Sequence, residues 1–170
     1  MLTQKIDNIL KEKNLSRYKL SKLVGCSESA LNQMARGETK FSDNIIEKIL
    51  PILEVSREEF ESWILADKYP KKIIERAIQI KKEFPYKRKS VLTTKIDEIL
   101  EEKGMSRTAL AKQINYSQSG LNRMITGKIN MSRPVLEKIS KVLDIPQEEI
   151  LSWILADKNS LKSLEVAYIK

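Results

Sequence analysis

The 170-residue chain contains its own sequence twice, at an offset of 90 positions. Leu2-Thr3 and Lys5-Ile6-Asp7 return as Leu92-Thr93 and Lys95-Ile96-Asp97, and the run from Ser62 to Lys68 returns unchanged as Ser152 to Lys158. Residues 2–80 align with residues 92–170 without a gap, with 36 identities in 79 pairs. Solenoid repeats run roughly 20–50 residues and need three or more copies to be stable. Two copies of this length are instead expected to be two complete small domains: copy one over residues 1–80, copy two over 92–170, and a linker over 81–91.

Composition narrows what such domains do. With no histidine, the chain lacks the commonest general base and the commonest metal ligand. No nucleophile–base pair or ligand cluster stands out, so neither an enzyme nor a bound metal or cofactor is expected. One cysteine, Cys26, allows no internal disulfide and suits a reducing cytoplasm. Apolar runs are only a few residues long, far below the ~20 of a membrane span, and residues 1–20 show no signal peptide. The excess of 31 Lys+Arg over 23 Asp+Glu gives +8 and favours an anionic partner. Half of that excess lies in the linker, where five basic groups face one acidic group. Such a segment is either a self-repelling solvated spacer or a strap in which Lys87, Arg88 and Lys89 touch phosphates.

Every stretch between punctuation marks carries helical spacing, and none alternates as a strand does. Thr3 is expected to cap a first helix burying Ile6, Ile9 and Leu10. Ser16 caps a second with Leu20, Leu23 and Val24 inward, and Ser27 a third with Leu31 and Met34 inward. The three stops are Asn14, Gly25 and Gly37, matched by Gly104, Asn115 and Gly127. Only Gly and Asn enter the left-handed region cheaply, so their interchange points to a backbone demand. Ser42 and Ser132 open a fourth helix. Ser56 with Glu59 makes a capping box for a fifth, where Pro146 sits in the first turn of copy two. A sixth helix starts at Pro70 and shows Ile73, Ile74, Ala77 and Ile78; its counterpart shows Leu161, Leu164, Ala167 and Tyr168. The simplest reading makes each sixth helix a lid on its own domain, with a homodimer contact as the alternative. The fold class is all-α, two tandem bundles of five to six helices.

The second and third helices carry the chemistry. Leu20, Ser21, Val24, Gly25, Leu31 and Met34 have the spacing of a helix-turn-helix, and copy two repeats it with Leu110, Ala111, Ile114, Asn115, Leu121 and Met124. A small residue at 21 or 111 lets two helices cross closely, and the third helix then projects toward a major groove. Through the segment from Ser16 to Ser27, with Leu31, Met34 and Gly37, and again from Ser106 to Gly127, the chain resembles the phage repressor and Cro family of helix-turn-helix proteins, also called the xenobiotic-response-element family. That resemblance implies a lambda-repressor-like fold and a sequence-specific DNA-binding protein, usually a bacterial or phage repressor that binds as a dimer. Members normally carry one such domain per chain, so a tandem pair puts the symmetric two-chain mode in question.

Carried over by position, the resemblance assigns base reading to Gln118, Ser119, Asn122 and Arg123 in copy two and to Glu28, Ser29, Asn32 and Gln33 in copy one. Gln and Asn pair bidentately with adenine and Arg with guanine, at ~1–3 kcal/mol of discrimination per good pair. Phosphate contacts fall on Arg17, Ser27, Thr39 and Lys40, and on Arg107, Ser117, Lys128, Asn130 and Arg133. From Ser27 to Asp43 the net charge is −1; from Ser117 to Arg133 it is +3. Copy two is therefore expected to be the stronger reader.

The expected function is a cytoplasmic regulator of transcription, a repressor that occupies an operator on double-stranded DNA. Eleven linker residues reach ~36 Å when extended, enough to set two recognition helices one DNA turn apart, ~34 Å. Unlike reading sets then call for a site with unlike halves. The main rival is a protein-interaction module in which one or both domains, copy one above all, grip a partner protein, as antitoxins and phage-encoded inhibitors that resemble this family do. RNA binding is a second rival, without the exposed aromatic platform that single strands need. Trp63, Trp153, Met34 and Met124 read as core by their spacing, and Cys26 as a half-buried turn residue.

Overall fold

The computed structural model describes residues 2–84 and 90–169. Lys87, Arg88 and Lys89 lie outside the described residues. Within them the chain is helical with no strand: α1 (Leu2–Glu12), α2 (Arg17–Val24), α3 (Glu28–Ala35), α4 (Asp43–Leu53), α5 (Arg57–Lys68), α6 (Lys71–Glu83), then α7 (Val91–Glu102), α8 (Arg107–Gln113), α9 (Gln118–Ile125), α10 (Arg133–Leu143), α11 (Gln147–Lys158) and α12 (Leu161–Ile169). No helix among the described residues is long and apolar enough to cross a membrane.

The punctuation behaves as the sequence dictates. Ser16, Ser27, Ser42 and Ser56 each sit in extended backbone and accept a hydrogen bond from the amide three residues on. Asn14, Gly25 and Gly37 stop α1, α2 and α3 with φ of 52°, 79° and 74°, as do Gly104, Asn115 and Gly127 in copy two. Two further left-handed stops, Glu54 and Asp144, end α4 and α10 without a glycine. Ser132 holds the N-cap position of α10 without a side-chain bond, and Pro146 is the N-cap of α11 rather than part of its first turn.

Thr3 does not cap α1. The helix already begins at Leu2, whose amide donates to the Asp67 carboxylate from the end of α5. In copy two the Val91 and Leu92 amides donate to Asp157 at 2.7 and 3.0 Å. A carboxylate from a distant helix thus meets the positive end of α1 and of α7. The Thr3 and Thr93 hydroxyls donate instead to the carbonyls of Ala35 and Ile125, which end the recognition helices.

The helices gather into two compact units that cut across the repeat. The first contains α1 to α5 together with α12; the second contains α6 to α11. Each copy is therefore completed by the sixth helix of the other, which corrects the expectation that the sixth helix covers its own domain. In the second unit α6 buries Ile73, Ile74, Ala77, Ile78 and Ile80. Arg76 makes a bidentate ion pair with Glu149 of α11, the Ser152 hydroxyl donates to the Ile73 carbonyl, and Lys81 donates to the Ala156 carbonyl. In the first unit α12 buries Ser163, Leu164 and Ala167, and Ser163 donates to Glu61 of α5. Leu161 is only half-buried and Tyr168 is exposed. The buried faces of both sixth helices are thus covered inside the chain, while Tyr168 and Ile169 at the end of α12 stay exposed.

The cause lies in the joints. Only Tyr69 and Pro70 separate α5 from α6, and only Asn159 and Ser160 separate α11 from α12. Tyr69 and Asn159 are both extended, with φ/ψ of −126°/139° and −120°/152°. At Tyr69 the following Pro70 disfavours the helical region; Asn159, followed by Ser160, is extended without a proline. A short joint whose first residue is extended carries the next helix away from its own bundle, as short hinges do in swapped proteins. The segment expected as a linker, residues 81–91, is described only at its two ends. Its first residues finish α6, and Ser90 and Val91 open α7, both helices of the second unit.

The core of the first unit is one cluster built from Leu2, Ile6 and Leu10 of α1, Leu20 and Val24 of α2, Leu31 and Ala35 of α3, Ile46, Ile49 and Leu53 of α4, and Phe60 and Trp63 of α5. Phe60 meets Phe41 edge-on at 5.2 Å between ring centres and tilts against Trp63 at 5.9 Å. Each such side chain contributes about 1.5–3 kcal/mol by leaving water. Copy two fills the equivalent space with Ile96, Leu100, Leu110, Leu121, Ile139 and Ile150, all nearly or wholly buried.

Candidate nucleic-acid interface

The helix-turn-helix of each copy is locked from three sides. Leu20, Ser21, Val24 and Leu31 are almost wholly buried, as are Leu110, Ala111, Ile114 and Leu121. Ser21 satisfies its buried hydroxyl by donating to the Tyr18 carbonyl. At the turn of copy two, Lys138 of α10 donates to the Ile114 carbonyl at 3.0 Å. The equivalent Lys48 Nζ lies 3.6 Å from where a Cβ on Gly25 would stand.

Leu23, expected inward, is 54% exposed. The buried stripe of α2 runs through Leu20, Ser21 and Val24, and Leu23 falls outside it. Its counterpart, Gln113, already carried that signal. Cys26 is half-buried at the turn, and burial pushes its thiol up, away from a reactive thiolate.

Tyr116, the counterpart of Cys26, covers the start of α9. A Cβ at Gly120 would stand 2.6 Å from its ring. Copy one pairs the small Cys26 with Ala30 at the same two positions, and copy two pairs the large Tyr116 with Gly120. One contact thus explains two differences between the copies.

The residues expected to read bases come together on the outer side of α9. Gln118, Ser119, Asn122 and Arg123 line one shallow depression with Thr126 and Lys128. Gln118, Ser119 and Arg123 are exposed, and Asn122 is half-buried. The side chains of Gln118, Arg123 and Lys128 make no hydrogen bond or ion pair among the described residues, so their donors are uncommitted. Arg133 is exposed and pairs weakly with Glu137 at 3.5 Å. Asn130 accepts from Lys158. Ser117 caps α9 by accepting from the Gly120 amide.

In copy one Glu28 and Ser29 are exposed on α3, with Asn32 and Gln33 half-buried. Thr39 and Lys40 are exposed in the loop that follows, and Ser27 caps α3 by accepting from the Ala30 amide. Charge here is largely cancelled. Arg36 pairs with Glu38 at 3.0 Å and Asp43 with Arg57 at 3.2 Å. Copy two has Thr126, Lys128 and Arg133 where copy one has Arg36, Glu38 and Asp43. The electrical difference visible in composition is therefore local to this face.

Arg17 and Arg107, expected at phosphates, are engaged inside the protein. Arg17 donates through Nε and Nη2 to the two carboxylate oxygens of Asp7 at 2.7 and 2.8 Å, and through Nη1 to Asn32 Oδ1 at 2.6 Å. Arg107 does the same with Asp97 at 2.8 and 2.7 Å and with Asn122 Oδ1 at 3.3 Å. Sequence reasoning saw the arginines but missed Asp7 and Asp97. The conserved spacing of Asp, Arg and Asn between the two copies was the available signal.

A family model described as the Cro/C1-type HTH DNA-binding domain matches this chain twice, over residues 5–66 and 95–156. No curated protein and no solved structure matched. The two matched spans correspond to α1–α5 and α7–α11, the parts that build and support the two faces just described.

Proposed function

Because the chain belongs to the family of Cro/C1-type helix-turn-helix DNA-binding domains, we propose that it is a transcriptional regulator that reads double-stranded DNA by sequence and represses by occupying its site. The observation that carries this reading is the α9 face, where Gln118, Arg123 and Lys128 stand exposed, uncommitted and grouped on a locked helix. A polar, cationic surface of that kind supplies both base-edge donors and phosphate neutralisation. Copy two contributes more of the affinity than copy one, and the site it selects has unlike halves.

The test compares two single substitutions. Arg123→Ala is expected to weaken binding to the selected site by about 5- to 150-fold, the equivalent of ~1–3 kcal/mol. Gln33→Ala is expected to cost less, both at that site and on random duplex. The reverse order in both assays would overturn the dominance of copy two. Binding of the intact chain should also weaken steeply as salt rises, as phosphate contacts require.

One observation favours a second reading for copy one. Tyr18 and Leu23 of α2 are 57% and 54% exposed, with Lys22 placed over the Tyr18 ring at 5.3 Å. Copy two has Thr108 and Gln113 at those positions. Exposed apolar side chains beside a charge-cancelled face suit a protein partner better than phosphates. Copy one then docks a protein while copy two holds DNA.

A further inference from the structure

We propose that Arg17 and Arg107 are positioning residues for the recognition helices, and that they turn the amide oxygens of Asn32 and Asn122 inward and so present the amide N–H groups to the bases. This rests on the reading of duplex DNA proposed above. The same three residues recur 90 positions apart: Asp7, Arg17 and Asn32 in copy one, Asp97, Arg107 and Asn122 in copy two. They tie together the first, second and third helices of each copy. The guanidinium is planar, and its bidentate grip on one carboxylate fixes its plane. The remaining nitrogen, Nη1, then points at the asparagine, where it meets Oδ1 at 2.6 Å in copy one and 3.3 Å in copy two.

That contact decides which way the amide faces. The guanidinium has no acceptor, so an amide turned to present its NH2 would place donor against donor. With Oδ1 held, Asn122 offers its two N–H groups beside Gln118, Ser119 and Arg123 on the reading face. A free asparagine pairs with adenine by donating to N7 and accepting from the N6 amino group. With Oδ1 turned to the guanidinium, the held asparagine is oriented for the first half rather than for the bidentate pair. It favours base edges that present an acceptor, purine N7, guanine O6 or thymine O4, and disfavours cytosine, whose major-groove edge presents the N4 donor. Positional likeness alone had given the arginines a phosphate role. Three of the five guanidinium donors are already committed inside each domain, and the charge is answered by a carboxylate 2.7–2.8 Å away.

The test is selection of bound sites from a random duplex library by the full chain and two variants. Arg107→Lys keeps the charge but cannot hold a carboxylate and an amide in one plane. Asn122→Asp keeps an acceptor for Arg107 and removes the donor. Both are expected to flatten preference at one and the same base position, with selection against cytosine there falling about 3- to 10-fold. Preference at the other positions should persist. A merely structural role lowers affinity at all positions alike, and a phosphate role leaves every preference sharp while Arg107→Met reduces the salt slope by about one; either result overturns the proposal. A wild-type chain that enriches no site at all removes the reading of DNA itself, an outcome distinct from sharp preferences that survive both variants.

Discussion

Cutting the chain once between α6 and α7, at a protease site placed in residues 85–89, should leave the two pieces together through gel filtration in native buffer. The first piece carries copy one with α6, and the second carries copy two with α12. Since α6 is packed in the second unit and α12 in the first, the cut severs one peptide bond and neither interface. Each piece holds the other at Ile74 and Leu164, both with no exposed surface, and by the Arg76–Glu149 and Ser163–Glu61 contacts. Denaturant should release the pieces. Had each sixth helix covered its own copy, the cut would separate two self-contained domains, and they would elute apart at once.

Substitutions in the exchanged helices should report in the opposite copy. Each unit has one tryptophan, Trp63 in the first and Trp153 in the second, both 3% exposed. Trp63→Phe and Trp153→Phe backgrounds therefore give one fluorescent reporter per unit. Ile74→Ala deletes a buried side chain and leaves a cavity, at a cost of about 2–5 kcal/mol. Although Ile74 belongs to copy one by sequence, the loss should register chiefly in the denaturant midpoint read by Trp153. Leu164→Ala should register chiefly at Trp63. If each variant lowers the midpoint of its own copy instead, the exchange is wrong. A loss below ~1 kcal/mol at both reporters would mean that neither helix is part of a core.

The helices themselves were legible because each begins and ends on a residue with a local physical reason. Serine caps and Gly or Asn stops act within a few residues, and aligning the two copies separated backbone demand from side-chain chance. The exchange was not legible in the same way. Ser62 to Lys68 and Ser152 to Lys158 are identical, so both docking grooves present nearly the same surface, and no apolar pattern says which sixth helix fills which. The signal was the joint, a two-residue gap in both copies with Pro70 in the first. Leu23 misled because it is apolar and three residues from Leu20; the polar Gln113 opposite it was the better guide. The intramolecular partners of Thr3, Thr93 and the two arginines were not legible for one reason. Their true partners, Asp7, Asp97 and the carbonyls of Ala35 and Ile125, are near in space and remote along the chain. Which side of α9 faces outward was legible, because its frame is set by Ser117 at its start and by Leu121 and Met124 on its buried side.

The most direct test is to titrate the isotope-labelled full chain with a short duplex at low ionic strength and follow its amide resonances. Shifts concentrated from Ser117 to Lys128, with weaker ones from Ser27 to Lys40, are the predicted result, and added salt should reverse them. Resonances that stay fixed at every duplex concentration, or that move only around Tyr18 and Leu23, would contradict the assignment of α9 as the surface that meets DNA.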